Sequence, residues 1–400
     1  MLLKNKRNSV FISLVFLLLS CTSTKQNETL PDCFSDGTPV ITSENAFSSR
    51  DTILITFCGD IMAHKPNTSI SDYNEPFKDI KPLLSQSNLS IANLETPVYK
   101  DKPYSTYPFF NVHEEYVEAA LNSGINVFSL ANNHSNDQNL EGIKATKKYF
   151  DGLRTSSQNS ERKIYSSGLK DSPESPFTYE IIECNGWKIL FLAVTEILNQ
   201  NSFSGYINYT KPNSRSRKIF MESISALRES NPCDLFILSI HTAEEEYVLS
   251  TLESQKKYYY ELLDAGVDVV LANHPHVPKE WELVCQNGEN KKLIFFAQGN
   301  TLSAQRWEPD FKNPANIRDY TGDGFITQVR FEKDETGVKI INVNPTLITT
   351  YITPQWHFVI KILNEEFIAE LKNSGMKTWA KYLSERMNLM EKIKGKKICQ

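Results

Sequence analysis

Apolar residues fall in short blocks separated by longer segments with helical spacing. Residues 52–58, 89–93 and 127–130 read as strands, and 76–85, 114–122 and 140–151 as helices. The alternation resumes with helix 216–228, strand 235–240, helix 252–264 and strand 267–272. Strands alternating with helices predict a parallel sheet buried on both faces. Between the two series, blocks 179–184 and 187–194 flank Asn185-Gly186, a dipeptide that supplies positive φ to a two-residue turn and predicts an antiparallel hairpin. A second hairpin is expected around Asn287-Gly288, β patterns return at 325–331 and 338–343, and 364–394 is helical by composition.

The N-terminus has a different pattern. Lys4, Lys6 and Arg7 precede an apolar block at 10–19 that is too short to span a bilayer stably, as in an export signal. It ends in Leu18-Leu19-Ser20-Cys21, which resembles the lipobox at which a bacterial lipoprotein is cleaved and lipidated on cysteine. The expected organisation is a lipoprotein signal peptide at 1–20, a Ser-, Thr- and Asn-rich tether at 21–50, a folded domain at 51–350 and a helical extension at 351–400. The protein is thus expected to be exported and lipid-anchored through Cys21 to the cell membrane or outer membrane. Cys33, Cys58, Cys184, Cys233, Cys285 and Cys399 show no CxxC spacing. Export permits disulfides without identifying any, and Cys58, inside an apolar strand, is expected to be a buried free thiol.

Charge narrows the partners. With 43 Lys and Arg against 48 Asp and Glu, the net charge is −5, and no basic run provides the footprint of a nucleic-acid binder. A small phosphorylated or polymeric anionic ligand stays open.

Polar clusters stand where the expected strands run out, the place where open α/β sheets assemble their sites. They are Gly59-Asp60-Ile61-Met62, Asn93-Leu94-Glu95, Asn132-Asn133-His134, His241 and Asn273-His274-Pro275-His276, and they hold four of the seven histidines. Taken singly, Gly-Asp can be a turn and His-Pro-His a surface loop. Taken together, carboxylates, amide oxygens and imidazoles suit two divalent ions such as Mn, Fe or Zn. A carboxylate can bridge such a pair, and the two ions can clamp a phosphoryl group.

The order and wording of these clusters resemble the CapA-type capsule-synthesis proteins, associated with poly-γ-glutamate capsules, a branch of the two-metal metallophosphoesterase superfamily. The resemblance rests on Gly59-Asp60-Ile61-Met62, on Ala92-Asn93-Leu94-Glu95, on the run from Ser129 to Asp137 and on the run from Ala265 to Val277. Gln298-Gly299-Asn300 with Gln305 adds a last motif, so that residues 52–346 are covered. It implies a four-layer α/β/β/α sandwich with mixed sheets. It also implies that Glu95 bridges two metals, that Asp60 and His276 complete one position, and that Asn133, His241 and His274 complete the other. His134 would be the general acid, with Asp137 orienting it, and Asn132 and Asn300 would contact substrate. Three departures stand out, and the first is that Glu95 replaces the wider superfamily's usual GDxxD bridge. Met62 occupies the place of the histidine in the wider superfamily's Asp-x-His, with His64 two positions late, and Thr242-Ala243 replaces Trp-Gly after His241.

The leading expectation is a membrane-anchored, metal-dependent phosphoesterase or related hydrolase of a capsule or envelope polymer. The competing one is a non-enzymatic accessory protein that binds or helps export an anionic polymer. Lys65, Lys279 and Arg306 follow three of the motifs and are the candidates for a basic groove. No GxSxG, GxxxxGK[ST] or GxGxxG occurs, which removes the serine-hydrolase, nucleotide-loop and dinucleotide readings.

Overall fold

The computed structural model describes residues 28–29, 51–286, 288–393 and 395–399. The expected signal peptide, Cys21, Cys33 and nearly all of the expected tether lie outside these residues. The first described element is the two-residue β1 (Glu28–Thr29), followed by β2 (Thr52–Ile61), α1 (Lys65–Thr68), α2 (Lys81–Ser85), β3 (Leu89–Leu94), α3 (Glu114–Ser123) and β4 (Val127–Ser129). Next come α4 (Asn139–Ser156), β5 (Tyr165–Ser167), β6 (Tyr179–Cys184), β7 (Trp187–Thr195), α5 (Ser214–Ser230), β8 (Leu235–His241), α6 (Glu253–Asp264) and β9 (Val269–Asn273). The chain continues through β10 (Trp281–Gln286), β11 (Glu289–Phe295), β12 (Asn300–Leu302), β13 (Asp323–Asp334), β14 (Gly337–Ile352), β15 (Phe358–Ile362), α7 (Glu365–Asn373), α8 (Lys377–Met390) and β16 (Gly395–Cys399).

These strands build two mixed sheets. One runs β15-β14-β13-β2-β3-β4-β5 with β12 beside β2, and the other β1-β16-β10-β11-β9-β8-β7-β6. Their centres are parallel, β2-β3-β4-β5 and β7-β8-β9-β11, as the unbroken apolar runs anticipate. Strand alternation then divides the core. Ile237, Val269, Leu271 and Phe295 face the other sheet, where Phe57 meets Phe295 with ring centroids 5.1 Å apart. Phe236, Leu238, Ile240 and Val270 face away, against Phe220 and Ile224 of α5 and Tyr259 and Leu262 of α6. On the outer side of the first sheet, α4 lays Phe150 on Phe128 at 5.1 Å. Helix, sheet, sheet and helix are therefore stacked in four layers. Among the described residues no helix is long and apolar enough to cross a membrane.

Most boundaries match the apolar pattern, including the Asn185-Gly186 hairpin, where both residues have positive φ. Helix α6 ends in a Schellman motif. Gly266 at φ 115° donates to Leu263 O, and Val267 donates to Leu262 O, so β9 begins only at Val269. The helix expected at 76–85 is instead a 3-10 turn, Glu75–Phe77, and the short α2. Pro82 has no N–H to give and would strike the carbonyl four residues back in one continuous helix, so it opens a new helix instead.

The helical extension expected from 351 is helical only in α7 and α8. Strand β14 runs on to Ile352, β15 pairs with it, and β16 joins β10 in the other sheet. The β-branched run Phe358–Ile362 explains β15. Gly375 at φ 79° separates the two helices.

A buried ionic cluster ties α8 to the rest. Asp323, at the start of β13, accepts from Arg306 Nη1 at 2.8 Å and from Arg386 Nε at 2.7 Å. Arg386 is 0% exposed. Burial raises the Asp323 pKa, but the two guanidiniums overcome that and hold it below the usual range. A depressed carboxyl pKa contributes stability above the unfolded value of about 3.9 and loses it as pH falls through the lower folded value. Replacing Arg386 with Ala leaves the cluster broken and buried, so urea unfolding of R386A should show a loss of about 3–5 kcal/mol. A midpoint equal to that of the unsubstituted protein would show that the cluster is not coupled to folding.

Candidate metal centre

The carboxyl ends of β2, β3 and β4 in one sheet and of β8 and β9 in the other converge on one buried cluster. Strand β2 does not turn at Gly59-Asp60. It continues to Ile61 through an irregularity between Phe57 and Asp60 that turns the Asp60 carboxylate inward. Only glycine fits before it, because a Cβ on Gly59 would lie 1.8 Å from the Gly299 carbonyl oxygen.

Asn93 is the hub. Its Nδ2 donates to Asp60 Oδ1 at 2.8 Å and to Glu95 Oε2 at 3.3 Å, and it lies 3.4 Å from His241 Nδ1. Glu95 is 0% exposed, and its Oε1 has no hydrogen-bond partner. That oxygen lies 3.6 Å from His276 Nε2 and 3.8 Å from His241 Nε2. His276 Nδ1 stands 3.1 Å from Asp60 Oδ2, and His241 Nε2 stands 2.8 Å from Asn133 Oδ1. His274 Nδ1 is likewise buried without a partner.

Electrostatics match this geometry. Burial drives Glu95 well above the ordinary carboxylate range. Burial, followed by the charges of neighbouring histidines, keeps His241 far below its normal value, and His274 falls to about 4 chiefly by burial. Burial also works to lower His276, yet Glu95 and Asp60 carry it up to about 9. His241 and His274 as neutral imidazoles and the unpartnered Glu95 oxygen are donor forms that a divalent ion takes, and the carboxylates that draw a proton onto His276 would draw a cation in its place, so the residues fit a metal. Two groups have donor atoms close enough to hold an ion, Glu95-His274-His276 and Asp60-Glu95-His241. Both contain Glu95. They divide the other residues differently from the assignment implied by the resemblance, which paired Asp60 with His276 and His241 with His274.

Residues 54–305 match the family described as bacterial capsule synthesis protein PGA_cap. The chain belongs to this family. It is also similar to the capsule biosynthesis protein CapA of Bacillus anthracis, 25% identical over 321 residues that cover 76% of this chain and 70% of that protein. The PGA biosynthesis protein CapA of Bacillus subtilis (strain 168) is 24% identical over 295 residues, 72% of this chain and 70% of its own length. Among solved structures, the calcineurin-like phosphoesterase YfkN from Bacillus subtilis aligns with a TM-score of 0.42 at 10% identity, over 83% of this chain and 99% of that one. GAP50, the anchor in the inner membrane complex of Plasmodium, aligns with a TM-score of 0.31 at 10% identity, over 74% and 84%. The PGA_cap match contains every cluster of the centre and stops before β13.

Beside the centre, His134 Nδ1 lies 2.6 Å from Asp137 Oδ2, which also accepts from Phe110 N at 2.7 Å. Burial raises the Asp137 pKa against the pull of His134. Asn132 and Asn300, expected to contact substrate, are buried and engaged in internal hydrogen bonds. Asn132 Nδ2 donates to Asn93 Oδ1 at 3.2 Å and to Leu94 O at 2.8 Å, while its Oδ1 accepts from His134 N at 3.1 Å. Asn300 Nδ2 donates to Thr321 O at 2.9 Å and Gln305 Oε1 at 2.8 Å, and its Oδ1 lies 3.1 Å from His276 Nδ1.

The basic groove is also corrected. Lys279 is buried against Glu244 at 3.2 Å and Arg306 against Asp323, because each cation needs a carboxylate once removed from water. Lys65 alone of the three is exposed. Cys58 is a buried free thiol, as expected, and its pKa is pushed up by burial.

Several residues of the site carried no separate signal in the sequence. They are Asn199, whose Nδ2 lies 3.3 Å from both His134 ring nitrogens, and Glu246 with Tyr247, while Asn93 as the hub and His64, which packs edge-on to Phe110, stand in or beside the named motifs without these roles. The charges of His276, His274 and His134 act on Glu246. For Asn93, the family wording Ala92-Asn93-Leu94-Glu95 was the available clue.

Gly59 gives the sharpest local test. G59A forces a methyl group into the Gly299 backbone, so thermal unfolding should reveal a loss of about 3 kcal/mol or more, together with weaker metal uptake. An unchanged midpoint would mean that the close approach is not needed.

Proposed function

We propose that this PGA_cap protein is a lipid-anchored, two-metal hydrolase of phosphoester or related linkages in a capsule or envelope polymer of the poly-γ-glutamate kind. The observation that carries the reading is the unpartnered Oε1 of Glu95, buried between His276 and His241 and common to both candidate ion-holding groups. Asp60, Asn133, His241, His274 and His276 would complete the two positions around it. Two divalent ions bound there, Mn, Fe or Zn by the donor set, would lower the pKa of a bound water and offset phosphoryl charge.

The chain's own residues supply the rest. Asp137 holds His134 through Nδ1, which leaves Nε2 as the nitrogen able to give a proton to the leaving oxygen, and the carboxylate stabilises the imidazolium that does so. Asn132 fixes the turn that carries His134. Asn93 orients Asp60 and Glu95, and Asn300 orients His276. The basic n-region, the short apolar block and Ser20-Cys21 support export and lipid attachment at Cys21, with the body facing an anionic polymer or phosphoester outside the cytoplasm.

Metal content of the full chain purified in detergent and supplied with Mn or Zn should be about two ions per chain by elemental mass spectrometry, falling below one in Glu95→Ala. Metal-free protein after refeeding would end the two-metal reading and leave the polymer-binding accessory.

For the acid role, His134→Ala should lower kcat on bis(p-nitrophenyl) phosphate by about 10²- to 10⁴-fold with metal content retained. Asp137→Asn should lower kcat less and shift the pH profile. Turnover equal to the parent's in both would remove the pair from the chemistry.

A further inference from the structure

Outside the cluster just described, an exposed cation stands at the rim of the centre. Arg318 lies on the 3-10 helix Ile317–Gly322, whose cap Asn316 accepts its backbone N–H at 3.1 Å. Its guanidinium carbon is 4.3 Å from the centroid of the Tyr247 ring, a cation–π stack that fixes the plane of the group. Tyr247 is fixed in turn. At φ 65° its backbone N–H donates at 2.9 Å to the carbonyl of Pro275, the residue between His274 and His276, and its ring lies 6.3 Å from that of His276. The 3-10 helix is joined to the same histidine from the other side, because Asn300 binds both Thr321 O and His276. Arg318 is also near enough for its charge to disfavour protonation of His64.

Two of the other three cations near the motifs do not compete for a ligand. Lys279 and Arg306 are buried in ion pairs with Glu244 and Asp323. No carboxylate among the described residues forms an ion pair with Arg318, and the side chain is exposed. A guanidinium stacked by one face keeps its N–H edge for a planar anion, and that edge suits a carboxylate or phosphate through paired hydrogen bonds. Glu246, the nearby carboxylate, lies within the field of His276, His274 and His134. Arg318 also lies beyond residues 54–305, outside the stretch matched by the family.

We propose that Arg318, stacked on Tyr247, is a specificity-determining residue that binds a second anionic group of the substrate, a carboxylate or phosphate, next to the linkage presented to the metal centre. This rests on the hydrolase reading for the word substrate, but the interaction is tested by binding alone. The probes are fluorescein-labelled hexa-γ-glutamate, its neutral hexamethyl ester and a labelled glycerol-phosphate hexamer. Fluorescence anisotropy follows each of them on the full chain in detergent, with and without Mn.

Arg318→Ala should weaken binding of at least one anionic probe by about tenfold or more, the worth of a charged hydrogen-bond pair. Arg318→Lys should recover part of the loss. The ester should be indifferent to both variants, and the exposed Lys65→Ala should shift anion binding by less than about twofold. Dependence confined to one anion names its class. Equal affinity of R318A and parent for both anions, equal losses for anion and ester, or no anion binding by the parent would each overturn the assignment. Failure of hydrolysis with an Arg318-dependent affinity intact would instead count against the hydrolase reading alone.

Discussion

The carboxylate of Glu95 is buried where the two sheets meet, and one of its oxygens has no donor in the protein. Moving an ionised carboxylate out of water costs several kcal/mol unless partners replace its hydration. Asn93 supplies one long bond to Oε2, and the imidazoles facing Oε1 stand at 3.6 and 3.8 Å, beyond hydrogen-bond reach. With Asp60 held beside it by the same Asn93 amide, the seam concentrates negative charge that the protein only partly offsets. A divalent cation bound there would offset it. Much of the local structure serves that one place: the β2 irregularity, the bare Cα of Gly59 against Gly299, and the turn braced by Asn132.

Strain is concentrated in the same loops. His274 at φ 102° and His276 at φ 56° occupy backbone conformations that cost of order 1–3 kcal/mol each for a residue with a side chain. Surrounding bonds over-determine them. Tyr247 N–H holds the Pro275 carbonyl, and Asn300 contacts both the ring and the carbonyl of His276. Beneath them, Lys279 and Glu244 pair out of solvent and tie the segment after β9 to the loop after β8. Such buried pairs are weak sources of stability but strong sources of position, since each charge has few alternative partners.

The parts of this arrangement that were legible in the sequence are those encoded locally. Unbroken apolar runs announced β8 and β9, Asn185-Gly186 announced its hairpin, and polar clusters at strand ends announced Asp60, Glu95, Asn133, His134, His241, His274 and His276. What escaped depends on distant partners. Gly59 reads as a turn until Gly299 is seen against it. Lys279 and Arg306 read as a groove until Glu244 and Asp323 are seen beneath them. His64, Asn199 and Arg318 are single polar residues in loops without period, and no local rule separates them from solvated surface. Strand β15 was lost beside a long helical composition, and the break at Pro82 was lost because apolar spacing outweighed proline chemistry.

The division of labour along the chain follows from the same contacts. The stretch shared with the PGA_cap family carries every group of the candidate metal centre, but not the elements that hold its far wall. Arg386 of α8 and Arg306 meet on Asp323, and Tyr382 of α8 donates to Asp319 at 2.7 Å. Asp319 lies on the 3-10 helix that presents Arg318, and Thr321 of that helix receives the amide of Asn300. A continuous path of buried polar contacts therefore runs from the C-terminal helix to His276. The residues after 305 fix one histidine of the centre and set a cation at its rim, so on the proposed hydrolase reading chemistry and selectivity would come from different parts of one folded body.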